Sequence, residues 1–272
     1  ILVTVGRAMK NLKYRADIDG LRAVAVIGVL LFHTGLSFPG GFVGVDIFFV
    51  ISGFLITSVI LKAQQEDRFS MLEFLGRRIR RLMPAALAMT AVTMVFGFWL
   101  LIPKDYDAMA ESAIAQMAIA SNLYFANSLN YFSGPAELMP LLHTWSLAVE
   151  EQFYLIFPLL LIFCRKLSRN RLCIVLALFA AVSFGLNLWA TQTYPTVSFF
   201  ILPTRAWEML LGALLIFLPS IKPTQHKVAE VGSLTAFAVI LFVFFTYDKT
   251  TLFPGAAALW PCLATAALIY YN

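Results

Sequence analysis

The chain has 272 residues, of which 60% are hydrophobic and 13% are charged, and its formal net charge is +5. Soluble globular chains contain roughly 45–50% apolar and about 25% charged residues. Too few polar side chains are therefore present to cover the apolar surface, which excludes a water-soluble domain, a disordered chain, a coiled coil and a collagen-like rod. The composition predicts an all-α, polytopic transmembrane helical bundle.

Three cysteines, Cys164, Cys173 and Cys262, lie inside or beside apolar runs. Their odd number and the lack of paired spacing argue against a disulfide framework and against a zinc site. We interpret them as small buried residues, and we predict that the protein binds no metal and no resident cofactor.

Apolar runs of about 20 residues predict eight membrane spans. They cover residues 21–37, 42–61, 82–102, 145–163, 172–190, 199–218, 231–247 and 252–271. The first run lacks a cleavage site, so we expect it to stay in the membrane. The chain starts at Ile1 and stops at Asn272, directly after an apolar run. We therefore expect one membrane domain over 1–272, truncated at its C-terminus and without a soluble domain.

The segment 106–129 is only weakly apolar and carries many polar side chains. Lysine and arginine accumulate in cytoplasmic loops. If this segment does not cross the membrane and the N-terminus is cytoplasmic, nearly all of the 20 lysines and arginines lie on the inner side. We therefore predict that orientation, with 106–129 as a re-entrant or surface segment. The topology accounts for the basic charge, so no nucleic acid is expected as a partner.

The first span places two ionisable residues on one helical face. Arg22 and His33 are eleven residues apart, which is roughly three turns and about 16 Å along the axis. Ionisable groups inside spans are costly, so they are candidates for function. In the simpler alternatives, Arg22 is an anchor at the membrane surface and His33 is a hydrogen-bonded packing residue.

The second span carries Asp46 near its outer end, in the glycine-rich sequence GGFVGVDIFFVISGFLIT. If the first two spans are antiparallel neighbours, Asp46 lies at a depth similar to that of His33. A carboxylate there could hold the imidazole in one tautomer. We interpret Ser52 and Gly53 as small residues that allow close helix contact.

The fourth and sixth spans each begin with a polar stripe. His143, Ser146 and Glu150 share one helical face, whereas Glu151 points about 100° away. In the sixth span, Arg205 and Glu208 could contribute to a site or simply form an ion pair that neutralises itself. We expect the polar residues of the four spans to converge in one cavity in the outer half of the membrane.

Four arginines occur in FLGRRIRRLMP, just cytoplasmic of the third span. They could be an anchor that follows the charge rule for cytoplasmic loops. Alternatively, Arg78 and Arg81, which lie one turn apart, could bind phosphate groups, because guanidinium groups match phosphate oxygens in a bidentate manner.

In this order and spacing the motifs resemble the acyltransferase-3 family of bacterial integral-membrane O-acyltransferases. The resemblance covers about 14–272 and rests on Arg22 with ten residues before His33, on the glycine-rich run, on Arg78 and Arg81 before Pro84, on WSLAVEEQFY and on RAWEMLLG. Family members usually continue into a tyrosine- and tryptophan-rich span beyond the point where this sequence stops. Some of them also carry a soluble hydrolase-like domain.

The resemblance implies an enzyme of the bacterial cytoplasmic (inner) membrane that uses acyl-CoA, by default acetyl-CoA, as donor. Arg22, Arg78 and Arg81 would bind the donor, and His33 would be the functional histidine. The acceptor would be a hydroxyl of an extracytoplasmic or lipid-linked glycan, such as O-antigen, another surface polysaccharide or peptidoglycan. Membrane lipids are the remaining partner.

These observations give a hypothesis for the mechanism. The pantetheine arm of the donor extends along the first span towards His33, which acts as general base or briefly carries the acyl group. Asp46 or Glu150 orients His33. The other polar residues of the two stripes are candidates for binding the acceptor: His143, Ser146, Arg205 and Glu208.

A secondary transporter of a sugar or an anion is the alternative function. Transporters also place charges near the middle of the membrane, but they show internal repeats and helices broken by Gly or Pro at matching positions. We find no internal repeat in this sequence.

Overall fold

The computed structural model describes residues 15–36, 38–128, 139–219, 221 and 226–272. Residues 1–14, which form most of the N-terminal segment predicted to be cytoplasmic, lie outside the described residues. Residue 37, the end of the first predicted span, and residue 129, the end of the weakly apolar segment, also lie outside them. The described α-helices are α1 (Ala16–His33), α2 (Gly44–Gln65), α3 (Met71–Leu100), α4 (Pro103–Met117), α5 (Ser121–Ser128), α6 (Thr144–Phe163), α7 (Arg169–Thr193), α8 (Pro195–Phe200), α9 (Leu202–Leu214), α10 (His226–Thr246) and α11 (Leu259–Tyr271).

Six of the described helical segments are long and apolar enough to cross a membrane. They are Gly41–Gln65, Met71–Leu100, Thr144–Lys166, Arg169–Thr193, Pro195–Phe217 and His226–Thr246, and Gly255–Tyr271 is a shorter apolar segment. Helix α1 has 18 residues, carries Asp17, Asp19 and Arg22 near its start, and is not one of the six. The predicted polytopic, all-α architecture is confirmed.

Helix α3 begins well before the predicted third span. The Oγ of Ser70 caps the helix by accepting a hydrogen bond from the backbone N–H of Glu73 at 3.4 Å. Pro84 lies within the helix, where its missing N–H removes one hydrogen bond without ending the helix. The arginine-rich sequence is therefore helical and continuous with the span.

The described part of the weakly apolar segment, residues 106–128, forms a helical hairpin. Helix α4 returns along α3, since Thr90 donates a hydrogen bond to Gln116 at 2.9 Å. Helix α5 then turns back along α4, since the hydroxyl of Tyr124 donates to the carbonyl of Ala108 at 3.0 Å. The tip packs on α6, where Ser121 donates to the carbonyl of Thr144 at 3.0 Å. At about 22 and 12 Å, neither helix spans the roughly 30 Å hydrocarbon core alone.

Helix α2 lies at the centre of the bundle, and its glycines explain why. A Cβ atom at Gly53 would lie 1.8 Å from the carbonyl oxygen of Met209 in α9. At Gly44 it would lie 2.5 Å from the carbonyl oxygen of Ala25 in α1. The motif therefore brings the α2 backbone against both neighbours, as small residues do at membrane helix interfaces.

The sixth predicted span is broken into α8 and α9. The backbone of Ile201 is extended, and Pro203 lacks the N–H that would continue the helix. Polar side chains of α7 bind carbonyl groups in the first turn of α9: Ser183 donates to Pro203 at 2.7 Å and Asn187 donates to Thr204 at 3.0 Å. The break places Arg205 in the first turn of α9, facing α2.

Candidate functional site

A buried ion cluster joins α2 to α9. The Nη2 of Arg205 donates a hydrogen bond to Oδ1 of Asp46 at 2.9 Å, and the Nε of Arg205 lies 3.2 Å from Oε1 of Glu208. None of these side chains is more than 1% exposed. The predicted alternative of an Arg205–Glu208 ion pair is therefore correct, and Asp46 extends it. Buried charges are tolerated only when they are paired. Since Asp46 belongs to α2 and Arg205 to α9, their pairing holds two central helices together.

Aromatic rings surround the guanidinium group of Arg205. Four ring centroids lie 5.5–5.7 Å from its central carbon, those of Phe49, Trp145, Phe199 and Phe253. Such rings stabilise a cation through their negative faces. Potential ligand atoms of Asp46, Glu208 and Cys262 lie within 4.8 Å of one another. We assign the positive charge of this cluster to Arg205 rather than to a metal ion.

This cluster corrects three predictions. Asp46 binds Arg205 and does not orient His33, because the guanidinium group of α9 is the cation packed against α2. Arg205 and Glu208 were predicted to bind the acceptor, but both are sealed from solvent. The single polar cavity shared by four helices is also wrong, since the polar groups separate into distinct clusters. Because the ion cluster is buried, we assign its three residues the role of positioning α2 against α9.

His33 is the last residue of α1, and its ring is exposed. Its Nδ1 lies 2.8 Å from the carbonyl oxygen of Val29, four residues earlier. A carbonyl oxygen can only accept a hydrogen bond, so Nδ1 carries the proton and Nε2 is the basic atom. The backbone of α1 thus fixes the tautomer that we had expected a carboxylate to fix.

A second histidine interacts electrostatically with His33. His143 precedes α6, and desolvation by the surrounding protein lowers its pKa. A hydrogen bond with the backbone of Pro140 raises the pKa of His143, and repulsion from a charged His33 lowers it. The structure thus brings together two residues from separate predicted groups. Ser146 donates to the carbonyl of His143 at 3.2 Å, which fixes the start of α6.

Glu150 lies in a polar cluster between α2 and α6. Its Oε1 accepts hydrogen bonds from the hydroxyls of Ser52 and Tyr154. The carboxylate is therefore held by these two residues rather than directed at His33, which corrects its predicted role. Ser52 does more than pack, because its hydroxyl links α2 to α6.

The three predicted donor-binding arginines have different surroundings. Arg78 is half-buried, and its guanidinium carbon lies 4.5 Å from the centroid of the Tyr154 ring. Arg81 is exposed on the same helix. Arg22 pairs with Asp19 at 3.4 Å on the partly exposed side of α1. Among the described residues, no contact joins Arg22 to Arg78.

A cleft that is partly open to solvent lies between α3, the α4–α5 hairpin and α6. Its walls are mainly apolar, and Glu151 is the acidic residue that lines it. The Oε1 of Glu151 is buried and has no hydrogen-bond partner within the part of the chain that the structure describes. Sequence reasoning set Glu151 aside because it points away from Glu150, and that direction is the one in which the cleft lies.

Two further sets of residues escaped prediction although the sequence carries a signal for each. Tyr154 follows Glu150 by four residues, which places both on one helical face. The polar residues of α7 repeat every four residues within an apolar helix and form a stripe that supports the α8–α9 break: Ser183, Asn187 and Thr191. The aromatic residues around Arg205 come from four distant segments and have no local signal.

Known proteins similar to this chain agree with the resemblance found in the sequence. The chain is 33% identical over 255 residues to a Komagataeibacter xylinus protein named as a membrane-bound transacylase, BcsY, covering 94% of this chain and 64% of that protein. It is 37% identical over 251 residues to the O-acetyltransferase OatA of Staphylococcus aureus (strain NCTC 8325 / PS 47), covering 87% of this chain and 41% of that protein.

The chain thus spans less than two thirds of the length of these relatives. No solved structure matches it significantly. The family model described as "Acyltransferase domain" matches residues 15–272, which is nearly the whole chain. The chain therefore belongs to the acyltransferase-3 family.

Proposed function

We propose that the protein is a membrane-bound O-acyltransferase that moves an acyl group, by default acetyl, from acyl-CoA to a hydroxyl of an extracytoplasmic glycan. The observation that carries this proposal is His33, whose tautomer leaves a basic Nε2 at an exposed helix end beside His143. Family membership and the names of the relatives support the reaction class.

The donor site is proposed at the start of α3, on the cytoplasmic side. Arg78 and Arg81 would bind the phosphates of acyl-CoA, since guanidinium groups match phosphate oxygens in a bidentate manner. The ring of Tyr154 packs against the guanidinium group of Arg78, so the guanidinium group is already oriented. Arg22 on α1 would contribute charge near the same membrane surface.

His33 would act as the general base. Its Nε2 takes the proton of the acceptor hydroxyl while the hydroxyl oxygen attacks the thioester carbonyl carbon. A C–O bond forms, the C–S bond breaks, and the departing thiolate of coenzyme A receives the proton from Nε2. Desolvation and the charge of His33 lower the pKa of His143, which disfavours a second positive charge on that ring.

The proposed setting is the cytoplasmic membrane of a bacterium, with the N-terminus inside. Acyl-CoA is the cytoplasmic partner, and a glycan or lipid-linked glycan such as O-antigen or peptidoglycan is the outer one. The glycan hydroxyl would approach the exposed end of α1, where His33 and His143 lie. Membrane lipids cover the apolar outer faces of the helices.

The proposal is tested by expressing the full-length protein in cells and measuring base-labile acetyl esters on their envelope glycans. We expect acetylation by the unmodified protein and its loss in His33→Ala. His226→Ala, at the exposed start of α10, is the matched control and should retain it. Solute flux without any acetylation would instead support the transporter, for which the broken α8–α9 helix is a structural feature in favour.

A further inference from the structure

The cleft between α3, the α4–α5 hairpin and α6 begins beside the arginine cluster. Ile79 lines it and directly follows Arg78 in α3, and the lining of α3 continues to Leu87, about 12 Å further along the axis. Arg78 thus flanks the inner end of the cleft, and the walls of the cleft are mainly apolar. An anionic head group with a thin, uncharged tail is complementary to this shape and charge.

The other wall of the cleft leads towards the two histidines. It is formed by α6 from Glu151 back to Thr144, the first residue of that helix. Thr144 lies about 15 Å along the axis from Tyr154, on which Arg78 stacks. The residue before Thr144 is His143, which is close enough to His33 to be repelled by its charge. A ligand anchored at Arg78 that fills the cleft would therefore end near the histidine pair.

Glu151 indicates which polar groups the tail of the ligand must carry. Its buried Oε1 lacks a hydrogen-bond partner among the described residues, and a buried acceptor without a partner costs roughly 1–3 kcal/mol. A ligand with N–H or O–H groups along its chain would supply that partner. A plain hydrocarbon chain would not, which argues against a lipid tail as the occupant.

We infer that this cleft, rather than the face of α1, holds the pantetheine arm of acyl-CoA. The arm is thin and uncharged, carries amide N–H groups and a hydroxyl, and extends from phosphates to a thioester. Arg78 would bind the phosphates, Glu151 would accept from the arm, and the thioester would reach the end of α6 beside His143 and His33. This inference rests on the proposed function and assigns a path to its donor.

The test fills the cleft and compares two ligands by calorimetry on the purified full-length protein. Ala86 lines the cleft, whereas Ala85 is exposed and lies outside it on the same helix. Ala86→Trp should weaken acetyl-CoA binding at least tenfold relative to Ala85→Trp. Adenosine 3′,5′-bisphosphate, which has nucleotide phosphates but no arm, should bind both variants equally. If Ala86→Trp binds neither ligand, Leu147→Trp on the α6 wall replaces it.

Equal acetyl-CoA affinities of the cleft-filling and control variants would overturn the inference and leave the proposed function standing. A failure of the unmodified protein to bind acetyl-CoA would overturn the proposed donor, and the cleft assignment with it. Weakening of both ligands to the same extent by a folded cleft variant would also contradict the inference, because the arm would not be the part that occupies the cleft.

Discussion

The Nη2 of Arg205 donates a hydrogen bond to Oδ1 of Asp46 at 2.9 Å, and neither side chain is more than 1% exposed. This contact joins α2 to α9, although the two residues are 159 positions apart in the sequence. Its first consequence concerns stability, because the positive charge depends on carboxylates from both helices.

Asp46→Ala should destabilise the protein. Arg205 keeps Glu208 as its counter-ion, but the change removes the buried hydrogen bond between two charged groups that joins α2 to α9, and a hydrogen bond to a charged group contributes roughly 1.5–3 kcal/mol. Unfolding of the detergent-solubilised protein by heat or denaturant measures this loss. The matched control is Glu66→Ala, which removes an exposed partner of Arg68 and should change little. Equal stability of the two variants would show that the buried pair does not hold α2 to α9.

Close contact of α2 with α9 gives a second prediction. Gly53→Ala places a Cβ atom 1.8 Å from the carbonyl oxygen of Met209, so the helices must separate, at a cost of about 1–3 kcal/mol. Gly185→Ala in α7 is the control, because no atom lies within 4 Å of its Cβ position. That change should leave stability equal or raise it slightly, since alanine favours helix. Equal effects of both changes on the melting temperature would contradict the packing described.

Tyr154 should contribute to donor binding through its ring and to stability through its hydroxyl. Tyr154→Phe keeps the ring under Arg78 but removes the hydroxyl that binds Glu150. We expect an unchanged Kd for acetyl-CoA and a lower melting temperature. Tyr154→Leu also removes the ring, and loss of a cation–π contact of about 1 kcal/mol weakens binding about fivefold. Calorimetry and thermal unfolding separate the two effects; identical Kd values for both variants would show that Arg78 does not need the ring.

The histidine pair predicts a dependence of one pKa on the other residue. Desolvation and repulsion from charged His33 both lower the pKa of His143 below the usual value of about 6.5. His33→Gln removes the repulsion and leaves the burial, so the pKa of His143 should rise while staying below that value. NMR titration of labelled histidine measures the change, with the resonance identified by its absence in His143→Gln. No change would show that the two rings are not neighbours.

Much of the fold was predictable because apolar runs and glycines act locally. Length and hydropathy located the spans, and the polar load of 106–129 excluded it as an ordinary span, as the α4–α5 hairpin confirms. The start of α3 was not predicted, because the arginines interrupt the apolar run that located the span, although the helix already begins after its cap at Ser70. The break at Ile201 depends on polar groups of α7, which no local pattern assigns to it.

The site was predicted residue by residue better than as an arrangement. The sequence identified Asp46, Glu150 and Arg205 as costly groups, but it could not say which of them would meet. Those contacts depend on how α2 packs against α6 and α9. The tautomer of His33 is fixed by the backbone of its own helix, and helical spacing alone is sufficient to predict that contact. The role of Glu151 could not be predicted without the position of the hairpin, since the cleft exists only between α6 and the segments that fold over it.

Acetyl-CoA binding by the purified full-length protein is the decisive measurement for the proposed donor site. The measurement is isothermal calorimetry on the unmodified protein and on the Arg78→Ala/Arg81→Ala double variant, with both in the same detergent. We expect saturable binding by the unmodified protein and at least tenfold weaker binding by the double variant. Absence of binding by a well-folded unmodified protein, or equal affinity of the two proteins, would contradict the proposed donor site.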